Sequence, residues 1–148
     1  MPDKVRPIPE GFHTLTPYLV VGDAEKEVEF AKAAFDAQVV HLSKRPDGAI
    51  MHATLKIGTS MLMLGQAGDS FKSVPAMLYM YVEDVDAVYK RALEHGAVSV
   101  REPSDQMYGD RSGGVVSANG IQWWIGTHFE DVSEEELQRR AAAIAGAH

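Results

Sequence analysis

"YLVVGDAEKEVEFAKAAF" at residues 18–35 has the same pattern as "YMYVEDVDAVYKRALEHG" at residues 79–96. Each copy has four strand-like residues, then an acidic residue suited to cap a helix, then an amphipathic helical pattern. The copies begin 61 positions apart, at Tyr18 and Tyr79. An internal repeat of this length predicts that the two halves of the chain fold on one shared plan.

The predicted helices of the two copies have recognisable ends. Asp23 and Asp84 precede the apolar positions as N-caps, and Gly96 occupies the place where a left-handed residue ends the second helix. The apolar positions are Val28, Ala31 and Phe35 in the first copy, and Val85, Val88 and Ala92 in the second. Both stretches are therefore predicted to form helices with one apolar face.

Strand patterns follow each helix. They are "AQVVHLS", "AIMHATLKI" and "SMLMLG" in the first half, and "AVSVREP", "RSGGVVSA" and "IQWWIGTH" in the second. The segment "KRPDG" between the first two patterns is a hairpin turn signal. Residues 68–74 connect the halves, so each half is predicted to be a β-α-β-β-β module.

Pro17 lies within the first strand pattern and indicates where that strand belongs. Because proline cannot donate to a hydrogen-bonded ladder, the strand is predicted to lie at an edge of its own sheet. Two modules whose sheets meet along such edges form one continuous, curled sheet. The predicted fold class is α+β, with two βαβββ modules in a cup-shaped mixed sheet, helices on its outer face, and a C-terminal helix.

The chain length of 148 residues is that of one ordinary domain. We predict a flexible arm at 1–10, a single domain at 11–132 and a terminal helix at 133–148. Within the domain, module 1 covers about 11–68 and module 2 about 75–132. Ser133 and Glu136 have capping-box spacing at the start of the terminal helix.

Composition excludes several classes of partner and chemistry. A net charge of −7 and a pI near 5.3 disfavour nucleic acid and acidic membranes, whose binders carry clustered Lys and Arg. The absence of cysteine excludes disulfides, thiolate nucleophiles and zinc fingers. Without an apolar signal segment or a run of 18 apolar residues, the chain is predicted to be soluble and cytoplasmic.

The paired modules resemble a known superfamily. Together with "TPYLVVGDAE", "YGDR" and the pattern G-x-x-W-x-I-x-T-H, they are similar to the vicinal-oxygen-chelate superfamily, which includes glyoxalase I, extradiol dioxygenases and bleomycin-resistance proteins. The PhnB-like subgroup is the closest in pattern. The resemblance covers residues 11–145 and implies the fold more strongly than any one activity, since one fold hosts many activities.

In metal-dependent members of that superfamily, four strands each contribute one inward His or Glu to a divalent cation. Carried over to this sequence, the four positions are Thr16, Met63, Met77 and Trp124, which form two pairs related by the repeat. Threonine is a weak ligand, methionine is a soft one, and tryptophan offers only an N–H donor. The resemblance therefore implies a chain with no metal and no cofactor.

The tryptophans of "IQWWIGTH" must serve different surfaces, because neighbouring side chains of a strand point to opposite faces. The resemblance places Trp124 inside the cup and Trp123 under the helices as core. The predicted ligand-binding residues are Thr16, Tyr18, Met61, Met63, Met77, Tyr79, Tyr81, Gln122 and Trp124. An aromatic, sulfur-rich lining suits planar ligands, although the same residues are equally compatible with a plain core.

Three polar residues match the subgroup near the predicted mouth of the cup. Asp110 and Arg111 in "YGDR" are predicted to orient a carboxylate or carbonyl group, and His128 is predicted to be a further polar contact. The alternatives are that Asp110 and Arg111 form an ion pair or turn that fixes the hairpin, which we favour, and that His128 caps a strand end.

His41 and His52 raise a separate question about metal binding. With Arg45 opposite Gly48 in the turn, the two histidines are predicted to face each other directly across the hairpin. Two histidines without a third ligand more often form a hydrogen-bonded or solvated pair than a metal site.

The leading functional hypothesis is a metal-independent, homodimeric protein that binds a planar or hydrophobic small molecule, for example by drug sequestration of the bleomycin-resistance type. The alternative is a glyoxalase-, epimerase- or dioxygenase-type enzyme with relocated metal ligands such as His41, His52 and His128, or with none. A third hypothesis is an assembly protein whose cup is collapsed core. No phosphate-binding loop or nucleophile motif is present.

Overall fold

The structure, a computed structural model, describes residues 4–146 and divides into two compact units, Met1–Ala76 and Met77–His148. The predicted arm at 1–10 and helix at 133–148 each extend beyond the described residues, by three and two positions respectively. Among residues 4–146, no helix is both long and apolar enough to cross a membrane.

The first unit is a four-stranded mixed sheet with one helix. Its elements are β1 (Tyr18–Val21), α1 (Ala24–Phe35), β2 (Gln38–Lys44), β3 (Ile50–Ile57) and β4 (Ser60–Gln66). The strand order is β1-β4-β3-β2, with β1 parallel to β4 and the other pairs antiparallel. The strand that follows Pro17 therefore lies at an edge of its sheet, as the proline predicts.

The second unit repeats this plan. Its elements are β5 (Met77–Tyr81), α2 (Val85–Glu94), β6 (Val98–Asp105), β7 (Asp110–Val116), β8 (Gln122–His128) and α3 (Glu134–Gly146). The strand order β5-β8-β7-β6 is the counterpart of the first sheet, and β5 is parallel to β8. The predicted α+β class with two βαβββ modules and a C-terminal helix is confirmed.

The helix starts carry the predicted caps. The side chain of Asp23 accepts a hydrogen bond from the backbone N–H of Lys26 at 3.1 Å, and Asp84 accepts one from Ala87 at 3.2 Å. These bonds satisfy donors that the first turn of a helix leaves without partners. Gly96 has a φ of +101°, which is the left-handed conformation expected after α2.

A second cap comes from the end of the last strand of each unit. The Gln66 side-chain oxygen accepts from the Ala24 N–H at 2.9 Å, and the Thr127 hydroxyl accepts from the Val85 N–H at 2.9 Å. Gln66 and Thr127 are 61 positions apart, like the helices that they hold. The repeat is thus preserved at the level of single hydrogen bonds.

One face of each sheet packs against a helix, α1 in the first unit and α2 in the second. The core residues of the packed faces are Leu19, Val21, Ala53, Leu55, Leu62 and Leu64 in the first unit and Val115, Trp123 and Ile125 in the second. We call the opposite faces the first and second open faces. The first bears Tyr18, His41, His52, Thr54, Met61 and Met63, and the second bears Met77, Tyr79, Tyr81, Arg101, Asp110, Ser112, Gln122, Trp124 and His128.

The register of the β2–β3 hairpin corrects one prediction. His41 lies opposite Thr54, and His52 lies opposite Ser43, so the direct pairing of the two histidines is wrong. The shift of two positions has two causes. The turn pairs Arg45 with Ala49 and not with Gly48, and a β-bulge follows, because β3 advances by two residues while β2 advances by one between Ser43 and Lys44. The two imidazole rings are still neighbours on the first open face, with centroids 6.0 Å apart.

The terminal helix α3 begins as predicted, with the Ser133 hydroxyl accepting from the Glu136 N–H at 3.2 Å. Arg140 attaches α3 to the rest of the second unit. Its guanidinium pairs with Glu130 at 2.9 Å and donates to the Met107 carbonyl at 2.9 Å.

Candidate functional site

Trp124 lies on the second open face, and its neighbour Trp123 belongs to the core with 2% exposure. This division agrees with the predicted alternation. The indole of Trp124 packs flat against Gly114 on β7, where a Cβ would lie only 2.8 Å from ring atoms. Its Nε1–H donates to the Gln122 side-chain oxygen at 3.0 Å. Glycine at 114 therefore permits the ring to rest directly on the sheet.

Arg101 is a site residue that the sequence analysis missed. Ser99 lies opposite Val115 on the packed face, and two residues later Arg101 would normally share that face. A β-bulge with Val100 as the extra residue instead places Arg101 opposite Gly114, on the second open face. The bulge thus turns a cationic side chain towards Trp124.

Two contacts hold the Arg101 guanidinium. Its Cζ lies 4.8 Å from the centre of the Trp124 ring, which is within the range of a cation–π contact. Nη2 donates to the Ser112 hydroxyl at 2.7 Å and to the Ser112 carbonyl at 3.2 Å. Ser112 is fully buried, so it is a fixed anchor for the arginine.

Two tyrosines of β5 surround a buried carboxylate. The hydroxyls of Tyr79 and Tyr81 donate to the same oxygen of Asp110, at 2.8 and 2.9 Å. Their rings meet edge to face at 5.2 Å and are 41% and 65% exposed. Burial raises the pKa of Tyr79, and its hydrogen bond to Asp110 raises that pKa further. Both phenols therefore act as donors at neutral pH.

The other oxygen of Asp110 pairs with His128, which lies directly opposite it in the sheet. Nδ1 of His128 is 2.8 Å from Asp110, and Nε2 is 2.7 Å from Asp131. Burial acts to raise the pKa of Asp110, but hydrogen bonds from His128, Tyr79 and Tyr81 outweigh it and lower the pKa. Hydrogen bonds first to Asp131 and then to Asp110 raise the pKa of His128, which favours the imidazolium.

Arg111 lies on the packed face rather than beside Asp110. Its guanidinium forms two hydrogen bonds with Asp86 of α2, at 2.8 and 3.0 Å, and a third with Asp105 at 3.2 Å. This arrangement matches the ion-pair alternative for Arg111 and joins the helix to the hairpin. Asp110 differs, because its partners are Tyr79, Tyr81 and His128 rather than Arg111.

The first open face carries the counterpart residues. The Tyr18 hydroxyl is 3.3 Å from Nδ1 of His52, and Nε2 of His52 is 3.3 Å from the Thr54 hydroxyl. Burial lowers the pKa of His52, and the nearby His41 lowers it further. The predicted residues Met61 and Met63 share this face, while Thr16 lies two positions before β1.

The residues at the superfamily's metal positions do not fit a hard divalent cation. Thr16, Met63, Met77 and Trp124 supply no carboxylate or imidazole. In the second unit, Nδ1 of His128 faces Asp110 and Nε2 faces Asp131. Within residues 4–146, no three His, Asp or Glu side chains are arranged to hold a metal ion.

Comparison with known proteins identifies the family. Residues 11–125 match the model of the glyoxalase/bleomycin resistance protein/dioxygenase superfamily. An uncharacterised protein of Mycobacterium bovis is 35% identical, over 84% of this chain and 89% of that protein. An uncharacterised protein of Mycobacterium tuberculosis strain H37Rv has the same identity, over 84% of this chain and 79% of its own length.

Solved structures have a similar fold. TioX from Micromonospora sp. ML1 superposes with a TM-score of 0.69 at 22% identity, covering 79% of this chain and 99% of TioX. A glyoxalase/bleomycin resistance protein/dioxygenase from Nocardioides gives 0.59 at 18% identity, covering 89% of this chain and 90% of its own. At these identities the structures support the fold alone. With a family model matching most of its length, this chain belongs to the glyoxalase/bleomycin resistance protein/dioxygenase superfamily.

Proposed function

We propose that this protein binds a planar or hydrophobic small molecule over the second open face, without a metal ion. The observation that carries the proposal is the set of aromatic side chains there. Tyr79 and Tyr81 are large, exposed rings fixed by hydrogen bonds to a buried carboxylate, and Trp124 is fixed against Gly114. Rigid aromatic rings lose little conformational entropy on binding and offer flat surfaces for stacking.

Polar groups beside the rings support a specific binding site. Arg101, Gln122 and His128 share the face with the aromatic residues, and each has a defined hydrogen-bond partner. Ligand sites typically combine an apolar lining with a few positioned polar groups.

As predicted from the sequence, we also propose a PhnB-like, cytoplasmic, homodimeric protein, with drug sequestration as one form of its function.

The experiment compares Trp124→Ala with the unaltered protein in calorimetric titrations with 2-naphthamide, a neutral planar probe. We expect measurable binding that falls at least about tenfold in the variant, because a buried aromatic contact contributes well over 1 kcal/mol. Tyr89→Ala, which removes a tyrosine of α2 whose hydroxyl donates to Ser99 on the packed side of the sheet, is the matched control. Equal affinity in Trp124→Ala and the control would contradict the proposal.

Metal independence has its own test. Elemental analysis after purification without added metal is expected to find no stoichiometric divalent ion, and dialysis against EDTA is expected to leave probe affinity unchanged. The physical reason is that the four superfamily positions carry no ligand for a hard cation. Stoichiometric metal that EDTA removes together with binding would overturn this part of the proposal.

A second candidate function is metal-independent proton transfer, favoured by the Asp110–His128 pair. Asp110 holds Nδ1 of His128, while the partner of Nε2 is the fully exposed Asp131, which a substrate can displace. An imidazole oriented in this way is suited to general acid–base chemistry. At a pH above the raised pKa of His128, where its imidazole is neutral, Nε2 would accept a proton from a carbon beside a carbonyl, the C–H electron pair would move towards the carbonyl oxygen, and the imidazolium formed would return a proton as the carbonyl is restored.

Solvent exchange distinguishes this second function from binding alone. Phenylpyruvate in D₂O is followed by NMR for deuterium incorporation at the carbon beside the carbonyl. If the protein transfers protons, it should raise the rate of deuterium exchange above the rate in buffer, and His128→Asn should abolish that increase. General base catalysis typically contributes roughly a hundredfold or more to such a rate. Equal exchange rates with the protein and the variant would leave binding as the function.

A further inference from the structure

Arg101 is a cation without an acidic partner in the part of the chain that the structure describes. Its hydrogen bonds go to Ser112, its remaining contact is with Trp124, and no carboxylate of residues 4–146 lies within ion-pair distance. Arg45 and Arg111 of this acidic chain, by contrast, are paired with aspartates.

The guanidinium of Arg101 is positioned before any ligand arrives. Both hydrogen bonds to Ser112 come from Nη2, which leaves the donors of Nε and Nη1 for another partner. The bulge at Val100 and the contact with Trp124 restrict the side chain to the second open face. An arginine ordered in this way loses less conformational entropy on binding than a freely solvated one.

The nearest acid in this network does not compete for Arg101. Arg101 donates to the Ser112 hydroxyl, whereas Asp110 accepts from Tyr79, so the arginine and the acid have separate partners. Asp110 is only 2% exposed, and its charge is met by His128 and two phenols. The positive charge of Arg101 is therefore directed to a partner from outside the described chain.

We propose that the ligand of the second open face is an aromatic carboxylate, whose carboxylate binds Arg101 and whose ring lies against Tyr79 and Tyr81. This inference rests on the proposed binding function and names its ligand class. The planar fork of a guanidinium matches two carboxylate oxygens. A singly charged group fits one uncompensated arginine better than a phosphate dianion does in a chain of net charge −7.

The test uses three probes of one shape: 2-naphthoate, its neutral amide 2-naphthamide, and 2-naphthyl phosphate. Affinities are measured by titration calorimetry at pH 7.5 and 0.15 M salt, for the full chain and for Arg101→Gln. Arg45→Gln is the matched control, because it removes an exposed arginine of the first unit. Circular dichroism checks that each variant folds, and Arg101→Lys provides a second variant that keeps the charge.

We expect the unaltered protein to bind naphthoate at least about tenfold more tightly than naphthamide, as a charge-assisted hydrogen bond predicts. Arg101→Gln should abolish that preference and retain naphthamide binding, Arg101→Lys should retain part of it, and Arg45→Gln should change neither. Equal affinities for naphthoate and naphthamide, a preference that survives in Arg101→Gln, or tighter binding of the phosphate would overturn the inference alone. Failure of all three probes to bind would overturn the proposed function as well.

Discussion

His128 is the residue whose chemistry the sequence indicated least clearly. The pattern placed it after Thr127 as a polar contact or a strand cap, but nothing in the sequence paired it with Asp110. That pairing arises from the antiparallel register of β7 and β8, which brings residues 18 positions apart into direct opposition. Long-range register of this kind depends on the whole sheet and not on local spacing.

The first prediction concerns the protonation of His128. Hydrogen bonds to Asp131 and Asp110 raise its pKa above 6.5, so its contribution to stability is full below pH 6.5 and is lost as the pH rises through the folded-state pKa. NMR titration should show this shift, and Asp131→Asn should reduce it. In the same spectra His52 should titrate below 6.5, because burial and His41 lower its pKa. A His128 pKa at or below 6.5 would contradict the network.

The second prediction concerns two glycines that the sequence analysis passed over. Gly65 and Gly126 are 61 positions apart, and each lies under a tyrosine of its unit's first strand, Tyr18 or Tyr79. At Gly65 an added Cβ would lie 2.6 Å from the Tyr18 hydroxyl, and at Gly126 it would overlap the hydroxyl of Tyr79. We expect Gly126→Ala to destabilise the fold by about 1–3 kcal/mol through overpacking.

Urea denaturation measures this cost, with Gly68→Ala as the control because open space surrounds Gly68. That variant should differ from the unaltered protein by no more than about 0.5 kcal/mol. If both alanine variants are equally stable, Tyr79 does not lie over β8 as described.

At the scale of elements, the repeat predicted most of what the structure contains. Strands, helices, N-caps and the edge position of β1 follow from local patterns and from the chemistry of Pro17, Asp23 and Asp84. The bulges at Val40 and Val100 were not predicted, since a single extra residue leaves no clear signature in a strand pattern. Because the bulge at Val100 was not predicted, the position of Arg101 on the second open face was not predicted either.

A signal for Arg101 was nevertheless present. Aligning the two halves on their bulges places Arg101 at the position of His41, 60 residues earlier, and Ser112 at the position of His52. The histidine pair of the first half therefore has an equivalent pair of positions in the second half. The arginine–serine pair is its counterpart on the second open face.

The third prediction belongs to the junction of β8 and α2. The Thr127 hydroxyl accepts from the Val85 N–H and donates to the Val82 carbonyl, both at 2.9 Å. Thr127→Val keeps the shape and removes both bonds, so we expect a loss of about 1–2 kcal/mol in the free energy of unfolding. Thr59→Val, in the exposed β3–β4 turn, is the matched control. Equal unfolding midpoints in urea would show that Thr127 does not support the helix start.

For the whole molecule, family membership and fold were predictable because the duplicated pattern extends over nearly the full chain. Most predicted binding residues do lie on the open faces, since strand alternation places them there. The exceptions are Arg111, one position from Asp110 and therefore on the packed face, and Thr16, which lies two positions before β1. The role of the predicted residues in ligand binding stays a proposal.

The fourth prediction separates the two tryptophans by stability. Trp123 is buried in the core, so Trp123→Ala should cost about 3–5 kcal/mol. Trp124→Ala should cost less, because that ring lies on the open face and is partly exposed. Thermal and urea unfolding of the two variants, measured side by side, check the order. A larger loss in Trp124→Ala would mean that the open face is an essential part of the packing.

The most direct test of binding at the second open face is a ¹H–¹⁵N spectrum of the indole groups, because the chain has only two tryptophans. Titration with 2-naphthamide is followed after each signal has been assigned with Trp123→Phe and Trp124→Phe. The account predicts that the Trp124 indole signal shifts in a saturable manner while the Trp123 signal stays in place. A saturable shift of the Trp123 signal alone, or binding that moves neither signal, would contradict it.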